Sequence, residues 1–343
     1  MNTSPFVQLT LVKLREYTRE PEALFWVFAF PVLMTLALGI AFKGGDASEV
    51  RVAVIRGDGS APLASILDAD PRVAAAEVDA LSAARLLRDG EIAMAVIPGE
   101  PIAYRFDRTR PESAVARFTV DDVLQRAGGR RDAFTPREEL LAVPGSRYID
   151  WLVPGLLGMN LMMTGVWGIG FSIGMSRAKK LLKRLTATPM RRAHFLGAQI
   201  AGRLIFLPVE AGVLLAFAAL VFGVPMAGAW WLLASLAVLG AVMGASLSLL
   251  VASRAKSFEA VSGLINLATL PMWIFSGVFF SSANFPDALQ PFVQVLPLTA
   301  LNDALRAVML AGAGVRDIGH EIAILAGWTV ACFGTALKIF RWQ

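Results

Sequence analysis

Charge is scarce in this chain. Asp, Glu, Lys and Arg make up 17% of its 343 residues, while hydrophobic residues make up 56% and the mean hydropathy is +0.59. A soluble domain carries charge nearer a quarter of its residues, so the bulk of the chain reads as an integral membrane protein. Cysteine is almost missing too. The single Cys332 lies in the last apolar run, which excludes a disulfide framework and a thiolate metal site. Histidine is limited to His194 and His320, far apart in sequence, whereas zinc or triad chemistry needs more convergent ligands. No nucleophile–base pair stands out, so neither a catalytic residue nor a metal or cofactor is expected. The phosphate-binding pattern G-x-x-x-x-G-K-[ST] does not occur, and the nearest miss, Gly314 to His320, lacks its lysine and follows no strand.

One long stretch lacks acid altogether. Ser176 to Arg203 contains Arg177, Lys179, Lys180, Lys183, Arg184, Arg191, Arg192 and Arg203 and no Asp or Glu. Apolar runs flank it, Ile149–Met175 before and Leu204–Phe222 after. An all-basic loop between two segments of spanning length marks the cytoplasmic side of a membrane protein. The formal net charge of +5 comes largely from this loop. It is therefore read as orientation and attraction to anionic lipid headgroups, and nucleic acid is not an expected partner.

Residues 1–23 mix Lys13, Arg15 and Arg19 with Phe6, Leu9, Leu11, Val12 and Leu14, the pattern of an amphipathic helix on the inner surface. Leu24–Phe42 follows as an apolar run of about 19 residues, roughly 28 Å as helix, with Pro31 as a kink. A cleaved signal peptide is the competing reading, but the charged leader is long and FKGGD offers no small-x-small site. Residues 43–148 change to soluble composition. VRVAVI (50–55), IAMAVI (92–97) and IAYRF (102–106) read as strands; APLASILDA, LSAARLLRDG and Pro111–Gln125 read as helices. This is a small α/β domain inserted after the first span. Further spans are expected at 149–175, 204–222, 229–252, 258–280 and 319–340, giving six helices with both termini inside. Residues 281–311, broken by Pro286, Pro291 and Pro297, are too apolar for a plain loop; they read as short re-entrant helices in the outer leaflet.

Two pieces of this pattern carry a family resemblance. One is the inserted domain followed by the basic loop LLKRLTATPMRR. The other is NLATLPMWIFSGVFFSSANFPDALQPFVQVLPLTALNDALRAVMLAG, with its Pro-Met, Ser-Gly-Val-Phe-Phe, Leu-Pro-Leu-Thr and Asp-Ala-Leu-Arg. The chain resembles the permease subunits of ABC transporters of the type-2 export family. Relatives commonly place a Glu and a Gly just before the Leu-Lys-Arg stretch, where Arg177–Lys180 stands here. The resemblance implies a six-span permease of the bacterial cytoplasmic membrane, working as a homodimer or with a related permease and driven by separate cytosolic ATPase subunits. It also implies that Leu181–Thr188, ending before Pro189, is a coupling helix. Leu181, Leu182 and Leu185 would form its docking face, and Lys183 and Arg184 the charged rim. The bland alternative is a loop that only sets topology and binds lipid.

Glu210 is the one acid well inside an apolar run, and an intramembrane carboxylate marks a functional site by default. It is a candidate for the transport pathway, and pairing with Arg203 two helical turns away is the competing explanation. Asn160 and Asn266 are weaker pathway candidates, better explained as interhelical hydrogen-bond glue. Gly170-x-x-x-Gly174 and Gly240-x-x-x-Gly244 allow close helix approach within one subunit. Trp151, Trp230 and Trp231 read as interfacial anchors. Two other classes compete with the exporter: a stand-alone secondary transporter, which would favour inverted repeats, and a membrane-anchored sensor whose α/β domain binds a ligand.

Overall fold

The computed structural model describes residues 5–19, 21–42, 49–132, 134, 145, 147–181, 192–255 and 257–339. The chain divides into two units: Gly44–Leu141, and Met1–Lys43 together with Ala142–Gln343.

The first unit is built on a four-stranded sheet in the order β2-β1-β3-β4. β1 (Val50–Ile55) pairs in parallel with β2 (Val73–Val78) and β3 (Met94–Ile97), and β4 (Ala103–Arg105) closes one edge antiparallel to β3. Alternation along β1 sends Val52 and Val54 to one face, where they meet Leu67, Val120 and Val123; Ala53 and Ile55 go to the other, against Ala83. The helices supplying these residues are α4 (Ser60–Asp68), α5 (Ala80–Asp89) and α6 (Pro111–Ala127). Asp79 caps α5 by accepting the Ser82 N–H, and Gly90 ends it at φ +78°. β2 was not expected from the sequence. Its VAAAEV is poor in β-branched residues, and pairing with the buried β1 overrides that weak propensity. Arg72 forks onto Asp70, holding that carboxyl down at about 2, and reaches Asp122 on α6.

The second unit is helical. α1 (Pro5–Arg19) packs on the long helix α8 (Arg192–Phe222), with Phe6 against Gly197. The first apolar segment is not one regular helix. It runs as α2 (Pro21–Leu24), a π-helical turn at Phe25–Ala29, and α3 (Phe30–Ala41). Pro31 has no N–H to give the Val27 carbonyl four residues back, and the ladder widens there. α7 (Tyr148–Ala178) is the central rod. It is 72% buried over its most apolar window, against 22% for α8, 61% for α9 (Trp230–Ala252), 22% for α10 (Phe258–Phe275) and 17% for α13 (Gly319–Ile339). α7 and α9 touch backbone to backbone: a Cβ on Gly244 would stand 2.2 Å from the Met162 carbonyl, and one on Gly165 3.1 Å from that of Ala241. The glycine spacing thus serves packing inside the chain, with Gly170 facing Ile265 and Gly240 facing Leu301.

The expected fifth span, 258–280, stops early. α10 ends at Phe275, and Gly277 at φ +67° turns the chain. Two 3₁₀ turns, α11 (Gln290–Val295) and the buried α12 (Pro297–Ala311) follow. The segments Asp287–Val295 and Pro297–Ala311 meet at 83°, because Pro297 forces Leu296 into an extended conformation. Among the described residues, five helices are long and apolar enough to cross a membrane, or six if this bent pair is one span; Phe25–Ala41 is shorter than the others. The sequence reading reached six differently, by counting 24–42 as a span.

Gly244→Ala is expected to lower the melting temperature by several degrees, ~1–3 kcal/mol of overpacking. Gly263→Ala, at a helical position where nothing lies within 4 Å of the added Cβ, is expected not to lower it and to stabilise by up to ~1 kcal/mol. Thermal unfolding of the purified variants in detergent checks both.

Candidate functional site

Glu210 and Arg203 lie seven residues apart on α8, about 10 Å of rise, so both side chains must reach along the helix to meet. They do: Arg203 Nη1 stands 2.5 Å from Glu210 Oε2, and the two side chains are 2% and 0% exposed. The pair closes on α7. The Thr164 hydroxyl accepts from Arg203 Nη2, lies 3.1 Å from Glu210 Oε1, and lies 2.7 Å from the Asn160 carbonyl one turn back. Arg203 Nη2 also points at the Leu161 carbonyl at 3.4 Å. Asn160 in turn donates from Nδ2 to the Val27 carbonyl at 3.0 Å, the one that Pro31 leaves without its helical donor. One polar line therefore ties the broken first helix, α7 and α8 together. It brings Glu210 and Asn160 into a single site; Asn266 is exposed on α10 and takes no part.

The ion pair is not fully satisfied. Arg203 Nε finds no acceptor, and Glu210 Oε2 has no aligned hydrogen-bond donor despite its contact. A buried pair offsets its desolvation only when its remaining hydrogen-bonding capacity is filled. This arrangement is thus a costly way to hold two helices, which favours a working role over simple stability.

A second polar centre, at the far end of α7, was missed as a site in the sequence. Arg306 on α12 is 6% exposed. Its guanidinium stacks 3.6 Å from the Trp151 ring centroid, donates to the Trp151 carbonyl at 3.3 Å, and donates from Nη2 to the Gly277 carbonyl. Asn302, one turn earlier, donates to the Ser276 carbonyl at 3.0 Å. Glycines make room for this clamp: a Cβ on Gly155 would lie 2.8 Å from Arg306 Nη2, and one on Gly158 2.2 Å from Asn302 Oδ1. Asp-Ala-Leu-Arg and Ser-Gly-Val-Phe-Phe are therefore two halves of one contact, in which side chains of α12 satisfy carbonyls freed where α10 ends. Trp151 is the aromatic floor under Arg306. Trp230 and Trp231 are 62% and 63% exposed at the start of α9.

The basic stretch is visible only at its ends. Arg177, still on α7, donates to the carbonyls of Ala252, Ser253 and Ala255 where α9 finishes, at 2.8 Å to Ala255 and 2.9 Å to Ser253. A cation on the last carbonyls of a helix satisfies acceptors that have no intrahelical partner. Leu181 is exposed; Leu182, Lys183, Arg184 and Leu185 lie outside the described residues.

A family model, ABC-2 type transporter, matches residues 101–310, which covers the clamp, the ion pair and the basic stretch between them. The chain belongs to the ABC-2 type transporter family. This makes it a multi-pass membrane component of an ABC transporter. Its relatives include ABC transporter G family member 20 of Dictyostelium discoideum, 26% identical over 54% of this chain and 26% of its own length. Nodulation protein J of Bradyrhizobium diazoefficiens is 25% identical over 58% of this chain and 76% of its own. The daunorubicin resistance ABC transporter permease protein DrrB1 of Streptomyces coeruleorubidus is 24% identical over 57% and 69%. The aligned part of this ABC-2 chain spans about a quarter of the Dictyostelium relative.

In the ABC-2 chain, Arg203→Met alone or Glu210→Leu alone strands a buried charge, with an expected loss of about 3–5 kcal/mol. Glu210→Leu is the worse, because a guanidinium cannot shed its charge. The double variant is expected to recover most of the loss. A double-mutant cycle of thermal unfolding reads the coupling directly, and additive effects would rule the pairing out as a determinant of stability.

Proposed function

We propose that this chain is the transmembrane permease subunit of an ATP-driven exporter, forming the substrate route with a second permease copy and powered by separate cytosolic ATPase subunits. Family membership across residues 101–310 carries this reading. The permease named for daunorubicin resistance, a relative over 57% of the chain, supports export. The acid-free stretch 176–203 and the missing nucleotide motif support a partner that binds from the cytosol and supplies the ATP chemistry. The apolar faces left open on α8, α10 and α13 suit contact with lipid and with a second copy.

In this reading Leu181, Leu182 and Leu185 seat in the ATPase and Lys183 and Arg184 rim the contact. α7 and α8 leave the two ends of that segment, and the Arg203–Glu210–Thr164 contact makes them move as one body. Asn160 passes the motion to the first helix, while Arg306 passes it to the bent helices near the opposite surface. Closure of the ATPases then rocks near-rigid helices about the partner copy. The inserted α/β unit faces outward, and six spans leave both termini inside.

The test is co-expression with ABC ATPase subunits from the same organism. Wild type is expected to co-purify with them and stimulate their hydrolysis. Leu182→Asp with Leu185→Asp is expected to abolish both while the permease still accumulates in the membrane. A chain that binds no ATPase but, purified alone, carries a proton- or sodium-driven flux would overturn the reading in favour of a secondary transporter.

A further inference from the structure

An open groove of about 430 Å³ lies between α9, α10 and α13, away from the ion pair and the clamp. Its walls are apolar, formed chiefly by Leu250, Leu264, Leu267, Ala268 and Ile339, and the polar groups of Ser253 and Arg254 mark one end. That end is the one where Arg177 holds the finishing carbonyls of α9, so it opens on the surface from which the basic stretch emerges. On α10 its lining runs from Leu264 to Ala268, about 6 Å of helical rise and two turns in from the start of that helix at Phe258. Its volume falls in the ~300–1,000 Å³ range of small-ligand sites.

The charge at the mouth has one sign in excess. Arg254 is exposed, and among the described residues no hydrogen bond or ion pair engages its guanidinium. Lys338, exposed, adjoins Ile339, and Lys256 and Arg341 stand close by in sequence. Against them stands Glu259, exposed in the first turn of α10. A cation at the mouth of an apolar slot matches an anionic headgroup carrying an acyl chain. A zwitterionic lipid brings its own cation to the same place and gains less.

We propose that this groove is a binding site for one anionic phospholipid, its phosphate on Arg254 and one acyl chain along Leu264, Leu267 and Ala268. The site rests on the chain being membrane-embedded, and needs neither the ATPase partner nor a particular leaflet. A second copy seated on the same face would bring the same excess of positive charge, Arg254 and Lys338 against the single Glu259, which argues for lipid.

The experiment uses the full chain in nanodiscs of phosphatidylcholine with a minor fraction of phosphatidylglycerol, followed by native mass spectrometry of retained lipid. Wild type is expected to keep phosphatidylglycerol in preference to phosphatidylcholine. Arg254→Gln should lower that retention about fivefold, the loss of one interfacial cation, and Arg254→Lys should preserve most of it. Ala268→Trp fills the slot without touching the charge and should abolish retention; Leu267→Trp serves if that variant does not fold. Equal retention by wild type, Arg254→Gln and the slot-filling variant overturns the proposal, as does equal retention of the two lipids. Leu267→Cys in a Cys332→Ala background adds the remaining arm. Efficient disulfide formation between two copies would assign the groove to the dimer, while its absence supports lipid.

Discussion

Three arginines hold the central helix, and the membrane unit depends on what their guanidinium groups do for backbone carbonyls. Arg177 leaves α7 to bind the end of α9, Arg203 comes from α8 to the middle of α7, and Arg306 comes from α12 to its beginning. In hydrocarbon no water can serve a carbonyl that its own helix has left free, so each break in the helical ladder needs a donor from elsewhere. A guanidinium offers five N–H groups in a rigid fork and keeps its charge, which suits it to bridge several such acceptors at once. Two breaks carry an arginine, where α9 ends and where α10 ends at Ser276–Gly277, whereas Arg203 reaches the Leu161 carbonyl in the unbroken middle of α7. Asn160 does the same for the carbonyl that Pro31 leaves open.

This arrangement joins the two surfaces of the membrane unit mechanically. α7 carries the basic stretch at one end and the Arg306 clamp at the other, and it is the most buried of the long helices. Its seam with α9 is a backbone contact through Gly165 and Gly244, which leaves little room to slide. A displacement applied at residue 178 therefore reaches the bent helices as a movement of the whole rod. The Arg203–Glu210 pair, like the contact around Arg306 and Asn302, leaves part of its hydrogen-bonding capacity unused.

Much of this was legible in the residues, and the parts that were not share a cause. The basic stretch and the long apolar runs are visible because composition alone marks them. Glu210 and Arg203 could be linked because both lie on one helix at a spacing that side chains can reach. Asn160 and Pro31 were each noticed separately, but their connection runs through a carbonyl on another helix and has no sequence spacing. Arg306 was hidden for the same reason: in an amphipathic helix an arginine reads as surface, and only the return of the hairpin places it over Trp151. The end of α10 was misread because Phe279 and Phe280 continue the apolar run past the glycine that stops the helix. β2 was overlooked because its alanines gain strand character from the neighbour they pair with.

The central claim is that α7 and α8 move as one body. Spin labels at Met175 on α7 and Val209 on α8, both exposed positions, report it directly by pulsed electron resonance in the chain reconstituted with the ATPase subunits proposed for it, in a Cys332→Ala background. The account predicts one narrow distance distribution that is the same without nucleotide and with hydrolysis trapped. A distribution that shifts or splits when nucleotide is trapped would contradict it.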